Sequence, residues 1–401
     1  MTFKVKTKGQ IEGEKLLVPK LRFKEFTDEW KKISIDNVFT FYNTNSLSRA
    51  DLSEDGLIKN IHYGDIHQKF NNILDINKEK LPYIKSNIKI NIHDEKNYCQ
   101  DGDLILADAS EDYDGIGKAI EVINVGNNKI VSGLHTILAR DTNKIMSLGF
   151  KGYLFNTSLI HNQIRVLANG FKVYGISKNN IYDLDVRIPT KTEQEKITNF
   201  LMLLDKKIEL QKQKIEALKI YKKGLIQELF SFNTFYEKKL EDICNITTGK
   251  LDANAMTLNG KYRFYTCAKE YYRINIYAFD TEALLISGNG AYVGYIHYYK
   301  GKFNAYQRTY VLDKFSENIL YIKYYLDTFL AKRILAERKE GNTPYIVLNT
   351  LAKMTIIFPS SKVQNQIVST LIKFDTKLDL ENKKLDKLHI IKKSLLLQMF
   401  I

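Results

Sequence analysis

Two stretches of the sequence decide the fold, because one is a copy of the other. Residues 188–230 read IPTKTEQEKITNFLMLLDKKIELQKQKIEALKIYKKGLIQELF, and residues 358–400 read FPSSKVQNQIVSTLIKFDTKLDLENKKLDKLHIIKKSLLLQMF. In a gapless alignment, fourteen of the forty-three paired positions are identical. A repeat of this kind within 401 residues indicates that the chain carries two related structural units.

Both stretches have the pattern of a coiled-coil helix. Apolar residues recur at alternating steps of three and four, and in each stretch this series begins after a proline, Pro189 or Pro359. We predict one long helix from each, of roughly 37 residues and about 55 Å, which is the length of a spacer. The predicted helix-helix seam comprises Ile197, Leu201, Leu204, Ile208, Ile215, Leu218 and Leu225 in the first helix and Ile367, Leu371, Phe374, Leu378, Leu385, Leu388 and Leu395 in the second.

Polar residues interrupt the seam at matching positions. Gln211 corresponds to Glu381, and Lys222 corresponds to Lys392. A polar seam residue specifies the register of a coiled coil, so we expect both helices to pack in one register. Two like units in one chain tend to lie about a pseudo-two-fold axis, which predicts antiparallel helices with their domains at opposite ends. The alternative is a generic amphipathic helix pair without a spacer role.

The regions that precede the helices are rich in turns and in short β-type runs, which predicts two globular α/β domains. We expect a flexible lead at 1–18, recognition domains at 19–189 and 231–358, and helices at 190–230 and 359–401. The predicted fold class is therefore mixed α/β (α+β), with two pseudo-two-fold-related domains separated by an antiparallel coiled coil.

The ends of the two domains match, whereas their centres differ. Residues 102–110 (GDLILADAS) and 282–290 (EALLISGNG) are each an apolar strand that runs into a polar loop, but the loops are unlike. Constant scaffold ends with different centres are what a protein that reads two different short DNA sequences needs. A tandem duplication whose loops drifted without any DNA function is the alternative.

The charge balance favours an acidic partner. The sequence has 60 Lys and Arg against 46 Asp and Glu residues, a formal net charge of +14. DNA phosphate is the commonest partner of such a chain, although solubility alone is the simpler explanation. Candidate DNA-contacting residues in the first domain are Tyr63, His67, Lys69, Ser110, Lys118, His135, Lys172 and Tyr174. Those in the second domain are Lys269, Tyr271, Arg273, Asn289, Tyr292, Lys302, Gln307, Arg308 and Tyr345.

These residue types fit base and phosphate contacts, because Lys and Arg neutralise phosphates while Tyr, Asn, Gln and Arg supply hydrogen bonds and stacking surface at base edges. Ordinary sheet packing is the alternative for any one of them. No catalytic residue is predicted. The glycines of residues 288–294 precede a strand-like run rather than a helix, which predicts a β-hairpin turn and not a phosphate site.

No metal site or disulfide is predicted. The acidic residues at 108–114 lack the spacing of a nuclease site or a calcium loop, so a solvated loop is favoured. The three cysteines are far apart and lack CxxC spacing, which is typical of a protein in a reducing cytosol. No apolar run approaches the ~18 residues that a membrane span needs. We therefore expect a cytoplasmic protein without a membrane partner.

The residues quoted so far, together with the opening of the domain, resemble a known family. The first domain opens with Val18-Pro-Lys-Leu-Arg-Phe23, followed by Phe26 and Trp30. The long helices start at Pro189 and Pro359 and end with Lys-Lys-x-Leu. These three features resemble the specificity subunits of Type I restriction-modification systems. The resemblance covers nearly the whole chain. Its strongest part is the duplicated proline-plus-helix unit.

The resemblance implies a non-catalytic subunit that binds a bipartite double-stranded DNA target, with one domain in the major groove of each half and the gap set by the helices. It also implies two modification subunits, which bind S-adenosylmethionine and methylate adenine N6, and two restriction subunits for ATP-dependent translocation and cleavage. S-adenosylmethionine, ATP and Mg²⁺ are thus expected on partner subunits, and no cofactor on this chain. The alternatives are a self-contained DNA methyltransferase or endonuclease, and a coiled-coil assembly protein without DNA contact.

Overall fold

The chain forms two compact units. A computed structural model describes residues 3–5, 18–90, 94–170, 173–231, 235–337 and 345–401. The first unit consists of Met1–Gln211 with Lys384–Ile401, and the second of Lys212–Lys383. Residues 1–2 and 6–17 of the predicted flexible lead lie outside the described residues, while Phe3–Val5 form a short strand.

The first unit contains fifteen of the described strands and all or part of six helices, one of which is the end of the long C-terminal helix described with the second unit. Its strands are β1 Phe3–Val5, β2 Leu21–Phe23, β3 Lys31–Ile33, β4 Phe39–Tyr42, β5 Leu52–Ser53, β6 Lys59–Ile61, β7 Ile73–Asp75, β8 Tyr83–Ile84, β9 Leu104–Ala107, β10 Ala109–Ser110, β11 Ala119–Ile123, β12 Ile130–Ser132, β13 Thr136–Asp141, β14 Tyr174–Gly175 and β15 Val186–Ile188. Its helices are α1 Tyr63–Gln68, α2 Phe150–Leu154, α3 Ser158–Leu167, α4 Lys178–Tyr182 and the first part of α5 Lys191–Leu229.

A five-stranded sheet in the order β4-β13-β9-β11-β7 lies at the centre of the first unit. Its pairs are antiparallel except for β11 with β7. Alternate residues of a strand point to opposite faces. Leu104 and Leu106 accordingly pack with Trp30 and Phe150 on one face, whereas Ile105 packs against α1 and β6 on the other. Both faces of this sheet are therefore buried.

The second unit contains the remaining elements. Its strands are β16 Tyr236–Lys239, β17 Asn245–Thr248, β18 Tyr262–Tyr265, β19 Tyr272–Ile274, β20 Phe279–Ser287, β21 Ile296–Ala305, β22 Thr309–Asp313 and β23 Thr355–Phe358. Its helices are α6 Leu240–Ile243, α7 Ile319–Glu337, α8 Leu348–Ala352 and most of α9 Ser361–Met399, with the end of α5.

The domains are duplicated as well as the helices. The second unit has a six-stranded sheet in the order β17-β22-β20-β21-β18-β19. Its first five strands repeat the order of the first sheet, with antiparallel pairs throughout except for the parallel pair of β21 and β18. In both units a further antiparallel pair, β3 with β15 or β16 with β23, leads into the long helix. The predicted mixed α/β class with two long helices is confirmed.

The long helices begin in the same way. Helices α5 and α9 have 39 residues each, which corresponds to about 58 Å at 1.5 Å per residue. The amide of Gln194 donates to the carbonyl of Pro189 at 3.0 Å, and the amide of Gln364 donates to the carbonyl of Pro359 at 3.1 Å. Both glutamines are buried. The repeated glutamine therefore fixes how the chain turns from the last strand into the helix.

Within each unit the two helices pack antiparallel. In the second unit Lys214 binds Glu381 at 3.0 Å, and Lys222, further along α5, binds Asp375, which comes earlier on α9. In the first unit Leu201 shares a core with Met399 at the end of α9. All fourteen predicted seam residues are buried or half-buried. The charged interruptions of the seam are thus paired across it.

A three-residue contact ties each domain to both helices. In the first unit the Tyr153 hydroxyl donates to Asp205 at 2.8 Å, and Lys392 binds the same carboxylate at 2.6 Å. The second unit repeats the arrangement with Tyr324, which donates to Asp375 at 2.7 Å while Lys222 binds Asp375. Burial, together with the neighbouring carboxylate, raises the pKa of each tyrosine, so the hydroxyl keeps its proton and donates. We call this contact the tyrosine-aspartate-lysine clamp.

Replacing Leu201 by alanine should lower the free energy of unfolding by about 2–5 kcal/mol, because it leaves a cavity in the seam. Leu201 is 0% exposed, whereas Leu203 on the same helix is 61% exposed. Leu203→Ala is therefore the matched control, with an expected change within about 0.5 kcal/mol. Urea unfolding followed by circular dichroism measures both variants. Equal losses from the two substitutions would contradict the packing described above.

Candidate nucleic-acid interface

The candidate residues cluster where two paired strands end in each unit. In the first unit the Asp108 amide, just after β9, donates to the carbonyl of His135 at 3.1 Å. In the second unit the Gly288 amide, just after β20, donates to the carbonyl of Arg308 at 2.9 Å. The strand register is also the same, because the last residue of β9 or β20 pairs with the first of β13 or β22. His135 and Arg308 therefore occupy equivalent positions.

A third segment returns beside the same loop in both units. Ala109 pairs with Gly175 in the first unit, and Asn289 pairs with Tyr345 in the second, both antiparallel. The backbone frame of the site is thus common to both units. The side chains on it differ in size, charge and hydrogen-bonding capacity.

In the first unit this frame carries a cluster of aromatic and basic side chains. The ring centroid of Tyr63 lies 5.4 Å from that of His135 and 6.1 Å from that of His67. His67 Nε2 is 3.0 Å from the carbonyl oxygen of Ala109, and Lys118 Nζ donates to the His67 carbonyl at 2.9 Å. Four predicted residues are therefore brought together from α1 and the loops after β10 and β12.

The electrostatics of this cluster are unusual for a surface. His135 is exposed, and its backbone has φ 54°, in the left-handed region that non-glycine residues enter rarely and often at functional sites. Its Nδ1 lies 3.3 Å from the carboxylate of Asp108. Burial raises the pKa of Asp108, and burial lowers the pKa of Lys118. Two charged groups are thus held where their charged forms are poorly solvated.

The remaining predicted residues of the first domain lie at the margin of this cluster. Ser110 is buried and pairs with Tyr174 across β10 and β14, and the Tyr174 ring is 5.0 Å from that of Tyr113, which the sequence did not single out. Lys69 is exposed and binds the buried Asp65 at 2.9 Å, so its charge is already paired. Lys172 lies outside the described residues.

In the second unit the same frame carries longer side chains. Lys269 Nζ lies 5.2 Å from the ring centroid of Tyr292, which is in the same turn as Asn289. Tyr345 is 56% exposed and pairs with Asn289, and Arg308 is exposed at the equivalent of His135. The turn joins β20 to β21, which are antiparallel, as the predicted hairpin requires. Five predicted residues therefore meet at one edge of the sheet.

Two predicted residues of the second domain do not join this group. Lys302 lies at the opposite end of the β20–β21 hairpin, 4.7 Å from the Tyr277 ring centroid and 3.9 Å from the carboxylate of Asp280. The Gln307 amide donates to Asp252 at 2.7 Å. The amide of Gln307 is thus satisfied within the unit, and Lys302 belongs to another part of the surface.

Arg263 is a residue that sequence reasoning missed. Its guanidinium carbon lies 4.3 Å from the ring centroid of Tyr271 and 4.4 Å from that of Tyr299. The guanidinium of Arg273 lies 5.5 Å from the Tyr271 ring. Only the pairing of β18 with β21 brings Arg263 beside Tyr299, so its surroundings could not be inferred locally. The available signal was the run Tyr262-Arg-Phe-Tyr265, which places Arg263 and Tyr265 on one face of a strand.

Across the described ranges, no three His, Cys, Asp or Glu side chains are grouped so that they could hold a metal ion. Asp114, one of the acidic loop residues, instead binds Arg165 at 2.7 Å. All three cysteines are free thiols. In the part of the chain that the structure describes, no helix is both long and apolar enough to cross a bilayer.

The sequence matches a known family over most of its length. The family of Type I restriction modification DNA specificity domains matches residues 27–219 and 233–389. Among curated proteins, the specificity subunit of the Type I restriction enzyme EcoDI from Escherichia coli is 38% identical over 133 residues, which are 33% of this chain and 29% of that subunit. The matched part thus spans less than a third of that relative.

Solved structures share the fold at low sequence identity. The S subunit of a Type I restriction-modification system from M. genitalium is 18% identical, with a TM-score of 0.58 over 96% of this chain and 99% of that chain. A structure from work on complex assembly and conformational transition of the type I R-M system is 14% identical, with a TM-score of 0.57 over 92% and 96% of the two chains. The likenesses show the fold, and the family match confirms the resemblance drawn from the sequence.

The raised pKa of Asp108 predicts how stability changes with pH. The folded state holds the Asp108 proton more tightly than the unfolded state does. The contribution of Asp108 to the free energy of unfolding therefore falls as the pH rises from the ordinary carboxyl pKa through the raised pKa of the folded state. Asp108→Asn should therefore be more stable than the parent protein at pH 7, and the difference should shrink at acid pH. Denaturant unfolding between pH 4 and pH 8 measures it.

Asp51→Asn is the control, and its expected effect on the free energy of unfolding at pH 7 is opposite to that of Asp108→Asn. Hydrogen bonds from Ser48 lower the pKa of Asp51, so its substitution should destabilise the protein at pH 7 and have less effect at acid pH. If Asp108→Asn followed the same course as Asp51→Asn, the burial described for Asp108 would be wrong.

Proposed function

The chain belongs to the family of Type I restriction modification DNA specificity domains, and on this basis we propose that it is the DNA-recognition subunit of a Type I restriction-modification complex. Each unit reads one half of a bipartite double-stranded DNA target. The helices α5 and α9 set the gap between the two halves. The chain itself is not an enzyme.

The observation that carries this proposal is the common backbone frame with different side chains on it. His135 in the first unit stands where Arg308 stands in the second, and the Ala109–Gly175 pair stands where the second unit has Asn289 and Tyr345. Base edges in the major groove are distinguished by side-chain donors and acceptors. Two units with one frame and unlike side chains therefore suit two unlike half-sites.

The charge distribution supports DNA as the ligand. Among the described residues, Lys269, Arg273 and Arg308 make no ion pair with a carboxylate, although all three are exposed. The net charge of the whole chain is +14. Cations left without carboxylate partners are available to neutralise phosphates, a contribution to binding that weakens as salt increases.

The partners in this proposal are two modification subunits and two restriction subunits, and the complex acts in the cytoplasm, where its DNA lies. The modification subunits bind S-adenosylmethionine and methylate adenine N6, and ATP and Mg²⁺ belong to the restriction subunits. Apolar side chains on the outer faces of the long helices support docking of the modification subunits. Those that are at least half exposed are Leu203, Leu210, Ile220, Leu380, Ile390 and Leu397.

Exchange of one recognition region tests the proposal. The segment from Phe235 to Asn342 is replaced by that of another member of the family, and adenine methylation is mapped across the host genome. Only one half of the methylated sequence should change, because the other unit keeps its own frame and side chains. The matched control replaces residues 19–176 and should change only the other half. A change in both halves from either exchange would contradict independent reading by the two units.

Turnover and salt dependence separate the alternatives. The purified chain, mixed with DNA, S-adenosylmethionine and Mg²⁺, should neither methylate nor cleave, and methylation should begin when modification subunits are added. Turnover by the chain alone would support a self-contained methyltransferase or endonuclease. Binding of duplex DNA by the chain with modification subunits should weaken steeply as salt increases, whereas a coiled-coil assembly protein would not bind DNA.

A further inference from the structure

Arg263 is held in a way that suits the reading of one base. We propose that Arg263 is a specificity-determining residue of the second unit and that it recognises guanine in the half-site which that unit reads. This inference rests on the proposed function, because it assigns to one side chain a part of the target that the unit contacts. Tyr271 and Tyr299 are its positioning residues.

The surroundings of Arg263 fix its guanidinium without neutralising it. The guanidinium carbon lies 4.3 Å from the Tyr271 ring centroid and 4.4 Å from the Tyr299 ring centroid. One terminal nitrogen donates to the Tyr265 hydroxyl at 3.3 Å. Among the ion pairs of the described residues, none includes Arg263. A half-buried cation flanked by rings and left without a carboxylate keeps most of its N–H donors for a ligand.

The position of Arg263 joins it to the site of the second unit. Strand β18 leads directly into the segment that carries Lys269 and Tyr271. The thiol of Cys267, in the same segment, donates to the carbonyl of Arg308 at 3.3 Å. The ring of Tyr265, whose hydroxyl accepts from Arg263, has its centroid 5.0 Å from that of the His297 ring. Because the exposed Tyr271 contacts Arg263 and lies two residues after Lys269, Arg263 borders the segment that carries Lys269.

The chemistry of a fixed guanidinium favours a base over a phosphate. Its planar fork of N–H donors matches the O6 and N7 acceptors of guanine, which is the commonest specific contact in the major groove. Discrimination between bases requires hydrogen-bond donors of fixed direction. The two ring contacts fix the direction of the Arg263 donors, so the side chain loses little further freedom when it binds a base. The exposed Arg273 and Lys269 each contact one ring only, which suits adaptable phosphate contacts.

Arg263→Lys is the decisive substitution, because it keeps the charge and loses the planar fork. The full complex with modification subunits is titrated with duplexes that carry the target, and with duplexes in which each guanine of the second half-site is replaced singly by 7-deazaguanine. Arg263→Lys should weaken binding to the natural target by about ten- to hundredfold. At one position, 7-deazaguanine should weaken the parent complex and cause little further loss in the variant.

Arg273→Lys is the matched control, from the neighbouring strand and exposed, and it should change affinity only slightly and equally for all duplexes. The thermal unfolding of Arg263→Lys is compared with that of the parent protein to establish that it folds. A uniform loss over all duplexes, an unchanged affinity, or a second half-site without a guanine in either strand would overturn the assignment of Arg263. Failure of the parent complex to bind any bipartite target would instead overturn the proposed function.

Discussion

The structure depends most on a carboxylate that is bound twice in each unit. Asp205 in the first unit and Asp375 in the second each accept a hydrogen bond from a tyrosine of the globular domain and bind a lysine of the opposite long helix. A partly buried carboxylate needs such partners, since breaking the pair leaves a charge without compensation. In each unit, one aspartate therefore fixes both the register of the two helices and the position of the globular domain on them.

The sheets continue this regularity toward the site. Strands β4-β13-β9-β11-β7 and β17-β22-β20-β21-β18 have the same order and the same directions, so the loops after β9 and β20 start from equivalent backbone pairs. The units differ mainly between β4 and β9, where the first unit adds α1 and most of a four-stranded sheet, β12-β6-β8-β5. A constant frame with variable loops lets the target change without a change in the scaffold.

The sequence allowed accurate prediction of the helices, because a seven-residue apolar period and a repeated proline are local signals. The gapless alignment of the two helices also places Gln194 opposite Gln364 and Asp205 opposite Asp375, but it does not reveal which residues these side chains contact. Those partners, such as Tyr153, lie far away in sequence and are brought near by sheet pairing, which is a non-local property. For the same reason, the sequence named some residues of the candidate site but not which of them lie together. His67 and His135 were named, but the surroundings of Arg263 depend on strands β18 and β21.

The central proposal is that the paired helices set the gap between the two half-sites. The most direct measurement inserts four helical residues into α5 between Gln211 and Lys212 and four more into α9 between Lys383 and Lys384, the points in the sequence where one unit ends and the other begins. The insertion lengthens each helix by about 6 Å, close to two base pairs at ~3.4 Å each. Methylome sequencing should show both half-sites unchanged and a gap wider by about two base pairs, while the same insertion after Asn127, in an exposed loop, leaves the gap as it was. An unaltered gap with full methylation would contradict the account.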